Sequence, residues 1–422
     1  KAKLIELPGP QGENLRLGVV DLASFYTTFD PTSTRAKTPP KSTTDDVAQL
    51  LTKLKQENVN GVILDLRRNG GGSLEEAIRL TGLFIKEGPV VQVQDFSGRT
   101  EVDRDDDSRV LYEGPLIVLT SRFSASASEI LAAALQDYGR ALIVGDSSTH
   151  GKGTVQQVLP LKEALLQTLA MRRPDNLETL SKWALTNDPG ALKLTIKKFY
   201  RASGDSTQLK GVVPDVVLPS VFGEAKEIGE AALENPLPPG DPIARAKYDR
   251  LNLVEPYLPE LRRLSAQRLA ADKEYSYIRE DIQTYKRKAA EKTVSLNEKK
   301  RLQEKEEDDA RAKARDKERL ARAEPIEKTY ELSLKQALLP GLPDPVAKTN
   351  TAARLAHKGI PGATTNGVIA AVPDGTPTDR FADPDEEKPP AVDAALLEAE
   401  HILLDYLGLL PKGNLVTAIT VP

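Results

Sequence analysis

The sequence predicts an α/β fold followed by a charged, helical extension, on three observations. Residues 15–220 alternate short apolar runs of strand character with segments of helical period, the pattern of layered α/β structure. From about 223 to 337 the chain becomes helix-like and densely charged, with few apolar stripes. Residues 340–396 are rich in Pro, Gly, Ala and Asp, the composition of an irregular, partly disordered linker. A helix pattern over 394–410 and a strand pattern over 415–421 follow. The resulting parts are 1–222, 223–339, 340–396 and 397–422.

Gly18-Val-Val-Asp-Leu22 reads as a first buried strand, and Val47, Leu50, Leu51 and Leu54 share one face of an amphipathic helix. The run Gly61-Val-Ile-Leu-Asp65 is a second strand and meets the triple glycine Gly70-Gly71-Gly72, a tight strand-to-helix turn. Ser73 and Glu76 have capping-box spacing and open the next helix. Two further strand-like runs, Pro115-Leu-Ile-Val-Leu-Thr120 and Ala141-Leu-Ile-Val144, bracket a helix pattern that starts at Glu129. In the charged half, Tyr275, Ile278, Ile282 and Tyr285 form one packing stripe.

Composition narrows the classes of function. At 422 residues the chain has material for two or three domains, and its net charge of −4 argues against a nucleic-acid surface. No apolar run approaches a membrane span, and no signal peptide opens the sequence. The single methionine is Met171, so the sequence reads as a fragment or a processed product. Zero cysteines exclude thiol catalysis and disulfides, and suit an envelope compartment.

Chemistry concentrates at Ser126 and Lys152. Ser126 lies between a strand run and a helix run, where a turn can present a hydroxyl beside a helix N-terminus. Lys152, flanked by glycines on a neighbouring loop, can reach that hydroxyl. A lysine near its ordinary pKa of about 10.4 cannot take a serine proton at neutral pH, so this role requires desolvation. From spacing alone the plainer reading is the more frequent one: Ser126 caps a helix and Lys152 is solvated. Ser124 and Ser128 remain rival nucleophiles on the same ground.

Other patterns are weaker. The Gly145 to Thr154 segment has one residue too many for a phosphate-binding loop, and Gly153 stands where Ser or Thr is required. With only His150, His357 and His401 present, a Ser-His-Asp triad would draw on distant polar segments, and His150 reads as a solvated loop residue. The acidic run 103–107 lacks calcium-loop spacing and reads as a surface turn. The Glu/Lys/Arg run 297–322 lacks apolar heptads and reads as a solvated helix face.

The string Arg122-Phe-Ser-Ala-Ser-Ala-Ser-Glu-Ile130, with Ala134-Leu-Gln-Asp-Tyr-Gly-Arg140 and Gly151-Lys152-Gly153-Thr-Val-Gln156, resembles the carboxyl-terminal processing proteases, closest to their tail-specific (Prc) branch. Leu64-Asp-Leu-Arg-Arg-Asn-Gly-Gly-Gly72, Leu80-Thr-Gly-Leu-Phe84, Lys197-Lys-Phe-Tyr-Arg201 and Gly211-Val-Val-Pro-Asp215 fit in the same order. Asp272-Lys-Glu-Tyr275 and Val294-Ser-Leu-Asn297 extend the likeness to about residue 335. The resemblance implies a crotonase-like (ClpP/crotonase-type) core and a serine endopeptidase with Ser126 as nucleophile and Lys152 as base. It implies that Gln156 positions the lysine, that the Ala127 and Gly71 N–H groups form the oxyanion hole, and that Asp137 gives structural support.

The family further implies no metal or organic cofactor, and protein or peptide substrates with apolar C-termini. It places the protein in the periplasm of a Gram-negative bacterium. It leaves room for a lipoprotein adaptor on the helical region and for peripheral association with the inner membrane. The competing class is a non-catalytic scaffold of the same fold that binds peptides or partner proteins. Three departures stand out: the 146–150 loop is one residue longer than usual, residues 160–190 read as a local insertion, and the chain opens where family members have just left a PDZ domain.

Overall fold

The computed structural model describes residues 1–9, 12–28, 41–172, 182, 188–291, 293–322, 327–346 and 392–411. The N-terminal part runs β1 (Ala2–Pro8), β2 (Asn14–Asp21), α1 (Thr43–Gln56), β3 (Gly61–Asp65), α2 (Leu74–Gly82), β4 (Gly88–Asp95) and β5 (Thr100–Asp105). It continues through β6 (Leu116–Thr120), α3 (Ala127–Asp137), β7 (Leu142–Gly145), β8 (Thr154–Pro160), α4 (Leu161–Arg172), β9 (Ala191–Arg201) and β10 (Val216–Val217). The remainder is helical apart from one strand: α5 (Leu258–Ala271), α6 (Lys273–Glu291), α7 (Glu298–Leu320), β11 (Lys328–Leu332) and α8 (Ala394–Leu409).

Among the described residues the strands form two sheets. Seven lie in the order β10-β7-β6-β3-β2-β1-β11 and four in the order β5-β4-β9-β8. The inner strands β2, β3, β6 and β7 are mutually parallel, and β1 and β11 add an antiparallel edge. Period-two alternation divides the large sheet between two cores. Val62, Leu64, Leu116 and Val118 face α1, α2 and α3; Ile63, Ile117 and Leu119 face α5, α6 and α8. Burial on both faces explains why β3 and β6 are continuously apolar in sequence.

The expected α/β class holds, and the expected helix and strand runs fall on α1, β3, β6, α3 and β7. The parts of the chain are more closely joined than their compositions suggest. The segment taken as a separate helical domain supplies β11, which pairs with β1 from Ala2↔Leu332 to Glu6↔Lys328. The terminal helix α8 lies on the core sheet, where the Gly61 Cα packs so close to Leu403 that a Cβ would meet that side chain at 2.9 Å. Arg67, just beyond β3, bridges Asp65 and the α8 N-cap Asp393, each at 2.7 Å. The sheet therefore needs the C-terminal half to cover its second face, because strands buried on both sides cannot leave one face to water.

Several local expectations change as well. Ser73 accepts the Glu76 N–H, but the Glu76 carboxylate does not return to Ser73. Its Oε2 takes the Ser42 and Thr44 hydroxyls and the Thr44 N–H, stitching α2 to the start of α1. The acidic run 103–107 is half strand: Asp103 and Asp105 lie in β5, and Asp105 is buried against Gly82. The insertion after β8 opens as α4, and the β8–β9 hairpin reconnects below it. The charged run forms α7, a single helix with no buried residue, as a solvated helix should. The linker core, 347–391, and the strand pattern over 415–421 lie outside the described residues.

If α8 is part of the core, Leu403→Ala should cost about 2–5 kcal/mol, the range for an apolar side chain lost from a packed interior. A denaturant midpoint unchanged from wild type would show that α8 only decorates the sheet.

Candidate active site

The loop from β6 to α3 is built by three serines with different tasks. Ser124 is fully buried, donating its hydroxyl to the Leu66 carbonyl (2.8 Å) and accepting the Ser121 N–H (2.9 Å). Ser128 is also fully buried and donates to the Asn69 carbonyl (2.8 Å). Ser126 alone of the three keeps its side chain partly exposed. Its backbone sits at φ 58°, ψ −113°, a region that costs a non-glycine residue roughly 1–3 kcal/mol. Such a strained strand-to-helix turn carries the nucleophile in α/β hydrolases. The rivals are thus used up by structure, which sequence spacing could not reveal.

Strain of this kind persists only where neighbours over-determine it, and here the neighbour is Glu129. Its side chain is fully buried one turn into α3. Oε2 accepts the N–H of Ser126 (2.8 Å) and of Lys152 (3.0 Å); Oε1 accepts the Thr149 hydroxyl (2.6 Å) and the Gly151 N–H (2.7 Å). One carboxylate therefore holds the serine turn and the lysine loop together. Burial pushes its pKa up to about 7, while these four donors pull it down. Glu129 was not singled out from the sequence. The signal available was a Glu three residues after a Ser at a helix start, which capping alone explains.

Lys152 is half-buried, and desolvation lowers its pKa below the ordinary lysine range, against the opposing pull of Glu230. Its Nζ donates to the Thr154 carbonyl (2.8 Å), and no hydrogen bond joins it to Ser126. Its loop is firmly held on both sides. Arg122 binds Asp146 Oδ2 through its N–H (2.9 Å) and donates through its guanidinium to the Ser148 hydroxyl (2.6 Å), the Thr149 carbonyl (3.0 Å) and the Ile228 carbonyl. On the far side, the buried Gln208 accepts the Gly153 N–H (2.7 Å).

The remaining expected residues divide. The Ala127 N–H, at the first position of α3, makes no hydrogen bond among the described residues. Gly71 lies against the serine turn, where a Cβ would meet the Ser126 Cβ and the Ala125 carbonyl at 2.8 Å, and its φ of 103° also calls for glycine. Its N–H, however, is donated to Asn69 Oδ1 (2.9 Å), so in this arrangement it is not a free oxyanion donor. Asn69 is fully buried and also accepts the Ala125 N–H through its carbonyl (3.1 Å), fixing the glycine loop to the serine turn.

Gln156 is exposed on β8, beside a bulge between Val155 and Gln156, and is not hydrogen-bonded to Lys152. Asp137 sits at the opposite end of α3 from Ser126, about 16 Å away along the helix axis. There it pairs with Arg201 (2.6 Å) and accepts the Ser203 N–H (3.1 Å), tying α3 to β9. His150 is half-buried rather than solvated; its Nδ1 lies 3.9 Å from Glu230, and no hydrogen bond links it to Ser126.

Residues 16–218 match peptidase family S41, and residues 224–408 match the C-terminal domain of tail specific protease. The chain belongs to peptidase family S41. Its relatives include the "Tail-specific protease" of Haemophilus influenzae, 42% identical over 64% of this chain and 36% of that protein. The chloroplastic "Carboxyl-terminal-processing peptidase 2" of Arabidopsis thaliana is 30% identical over 56% of this chain and 38% of that protein. The "Carboxy-terminal-processing protease" of Bartonella bacilliformis is 37% identical over 41% and 34%. The chain thus spans little more than a third of the length of these curated relatives.

Replacing Glu129 by Gln turns an amide NH2 toward the two donors that share one carboxylate oxygen. An unsatisfied buried group costs about 1–3 kcal/mol, so turnover should fall by about tenfold or more as Ser126 and Lys152 lose their shared anchor. Wild-type kcat in Glu129→Gln would show that the carboxylate merely fills space.

Proposed function

We propose that this chain carries the catalytic core of a serine endopeptidase that processes or degrades proteins from or near their C-termini. The observation that carries the reading is one buried carboxylate, Glu129, holding an accessible, strained Ser126 and a desolvated Lys152. Ser126 is the nucleophile. Lys152, once neutral, turns its Nζ from the Thr154 carbonyl to the Ser126 hydroxyl and takes the proton. The alkoxide attacks the scissile carbonyl, and the Ala127 N–H holds the developing oxyanion. Gly71 joins it when its N–H leaves Asn69. The lysine ammonium then protonates the leaving amine, and water releases the acyl-enzyme with Lys152 again as base.

In this reading Gln156 moves inward to orient Lys152 in the working state, and Asp137 supports α3 through Arg201. Kinship with bacterial relatives such as those of Haemophilus and Bartonella favours envelope proteins with apolar C-termini as substrates and the periplasm as the compartment. The alternative, a peptide-binding scaffold without catalysis, draws on the Lys152 Nζ and Gly71 N–H both being engaged away from Ser126. Labelling by a serine-directed acylating reagent separates the two: an enzyme is acylated at Ser126, a scaffold is not.

Ser126→Ala should abolish proteolysis and leave the fold intact, whereas Ser124→Ala and Ser128→Ala should lose stability and retain turnover. Full activity in Ser126→Ala would overturn the assignment. The pH dependence has a definite sign. Lys152 must shed a proton, and burial lowers the pH at which it does so, so kcat/KM should rise from mildly acid to mildly alkaline pH. Lys152→Arg should be as inactive as Lys152→Ala, because a guanidinium stays protonated throughout that range.

A further inference from the structure

Behind the lysine loop stands another buried carboxylate, on a segment that follows the α/β part of the chain. Glu230 is 8% exposed and makes no ion pair with Lys or Arg among the described residues. Its backbone N–H donates to the His150 carbonyl (2.9 Å), and the His150 N–H donates in turn to the Ser124 carbonyl (3.0 Å). Its Oε1 accepts from Gln208 Nε2 (3.2 Å), and Gln208 Oε1 accepts the Gly153 N–H (2.7 Å). Hydrogen bonds from Glu230 thus reach the loop two residues before Lys152 and, through Gln208, one residue after it. Close packing accompanies them: Gly229 sits at φ 112°, where a Cβ would meet the His150 carbonyl oxygen at 2.9 Å.

The place of this charge matters because of what Lys152 must become. When the Ser126 Oγ–H bond breaks and an Nζ–H bond forms, the half-buried lysine gains a full positive charge while the substrate carbonyl becomes an oxyanion. Burial penalises that cation, and an amine made too weak a base gains little from the transfer. A nearby carboxylate offsets the penalty. The oxygens of Glu129 are already taken by four donors. Glu230 is less committed: Gln208 donates to Oε1, while Oε2 lies 3.9 Å from the His150 Nδ1, which has no hydrogen-bond partner. Desolvation dominates the downward shift of Lys152; among the charges facing it, Glu230 pulls hardest the other way, ahead of Glu129, and Lys193 of β9 opposes both. His150 in turn faces Glu230, Arg122 and Lys152.

We propose that Glu230 is a positioning residue for Lys152, gripping both flanks of its loop and supplying, across space, the counter-charge to the ammonium that Lys152 becomes. No hydrogen bond joins the two side chains among the described residues, so the effect is electrostatic and is carried by the loop geometry. The proposal rests on the hydrolase reading and adds to it a residue from outside the α/β part of the chain.

The test follows, across pH, the rate at which a fluorophosphonate modifies Ser126 in the full chain. In the wild type the rate should rise to an alkaline plateau as Lys152 loses its proton. Glu230→Gln keeps the size of the side chain and an acceptor for Gln208. In that variant the midpoint of the rise should move to lower pH, and the plateau should fall about threefold or more, because a less basic amine is a poorer proton acceptor. Glu230→Asp, which keeps the charge, should recover most of the wild-type midpoint. Glu227→Gln, which removes an exposed carboxylate from the same segment, should leave the profile unchanged. A Glu230→Gln protein slowed by one factor at every pH, with its midpoint unmoved, would reduce Glu230 to a structural brace and overturn this proposal alone. A wild type that is never modified would overturn the hydrolase reading and this proposal with it.

Discussion

A single buried carboxylate organises the candidate site of this molecule. Glu129 accepts four hydrogen bonds from two segments that are 23 residues apart in sequence, from Ser126 on one side and from Thr149, Gly151 and Lys152 on the other. Placing a carboxylate in a fully buried site is costly unless every acceptor position is used. The four donors meet that condition, and in exchange they are fixed relative to one another. The strained backbone at Ser126 persists because its N–H has this partner, and the lysine loop cannot slide without giving up three bonds at once. Asn69 does the corresponding work for the glycine loop, so that the serine turn is braced from both flanks.

Much of the α/β layer was legible in sequence because its elements obey simple periods. Val47, Leu50, Leu51 and Leu54 fall on one helical face and are all buried, and the unbroken apolar runs of β3 and β6 are those of strands covered on both sides. Of the candidate site, the strand–turn–helix at Ser126 and the glycine-flanked loop of Lys152 were legible, since both are local patterns. What sequence could not resolve depends on long-range partners. The choice among Ser124, Ser126 and Ser128 turns on which hydroxyls find buried carbonyls at Leu66 and Asn69, more than fifty residues away. The role of Glu129 was hidden because a helix cap and an inter-loop anchor have the same spelling.

How closely core and extension are joined was hidden for a related reason. Composition changes sharply near residue 223, and charge-rich helices read as a separate body. Yet α5, α6 and α8 each present a few apolar residues, Leu261, Leu269, Tyr275 and Leu403 among them, to the second face of the sheet. A sparse stripe suffices when the sheet supplies the opposite half of the interface. The acidic 103–107 segment shows the same effect on a smaller scale: Asp105 enters β5 because pairing with Gly88 on β4 outweighs its poor strand propensity.

The β1–β11 pairing has a consequence for how the molecule comes into being. Ala2 and Leu332 are neighbours in register although 330 residues separate them along the chain, and α8 arrives later still. Contacts so distant in sequence carry a large loop-closure cost and form late in folding. During synthesis the edge of the sheet stays unpaired until β11 has been made, and its second face stays uncovered until α8 has followed. The serine turn rests on that same sheet, between β6 and β7. The candidate site therefore reaches its final setting only after β11 and α8 have joined the sheet.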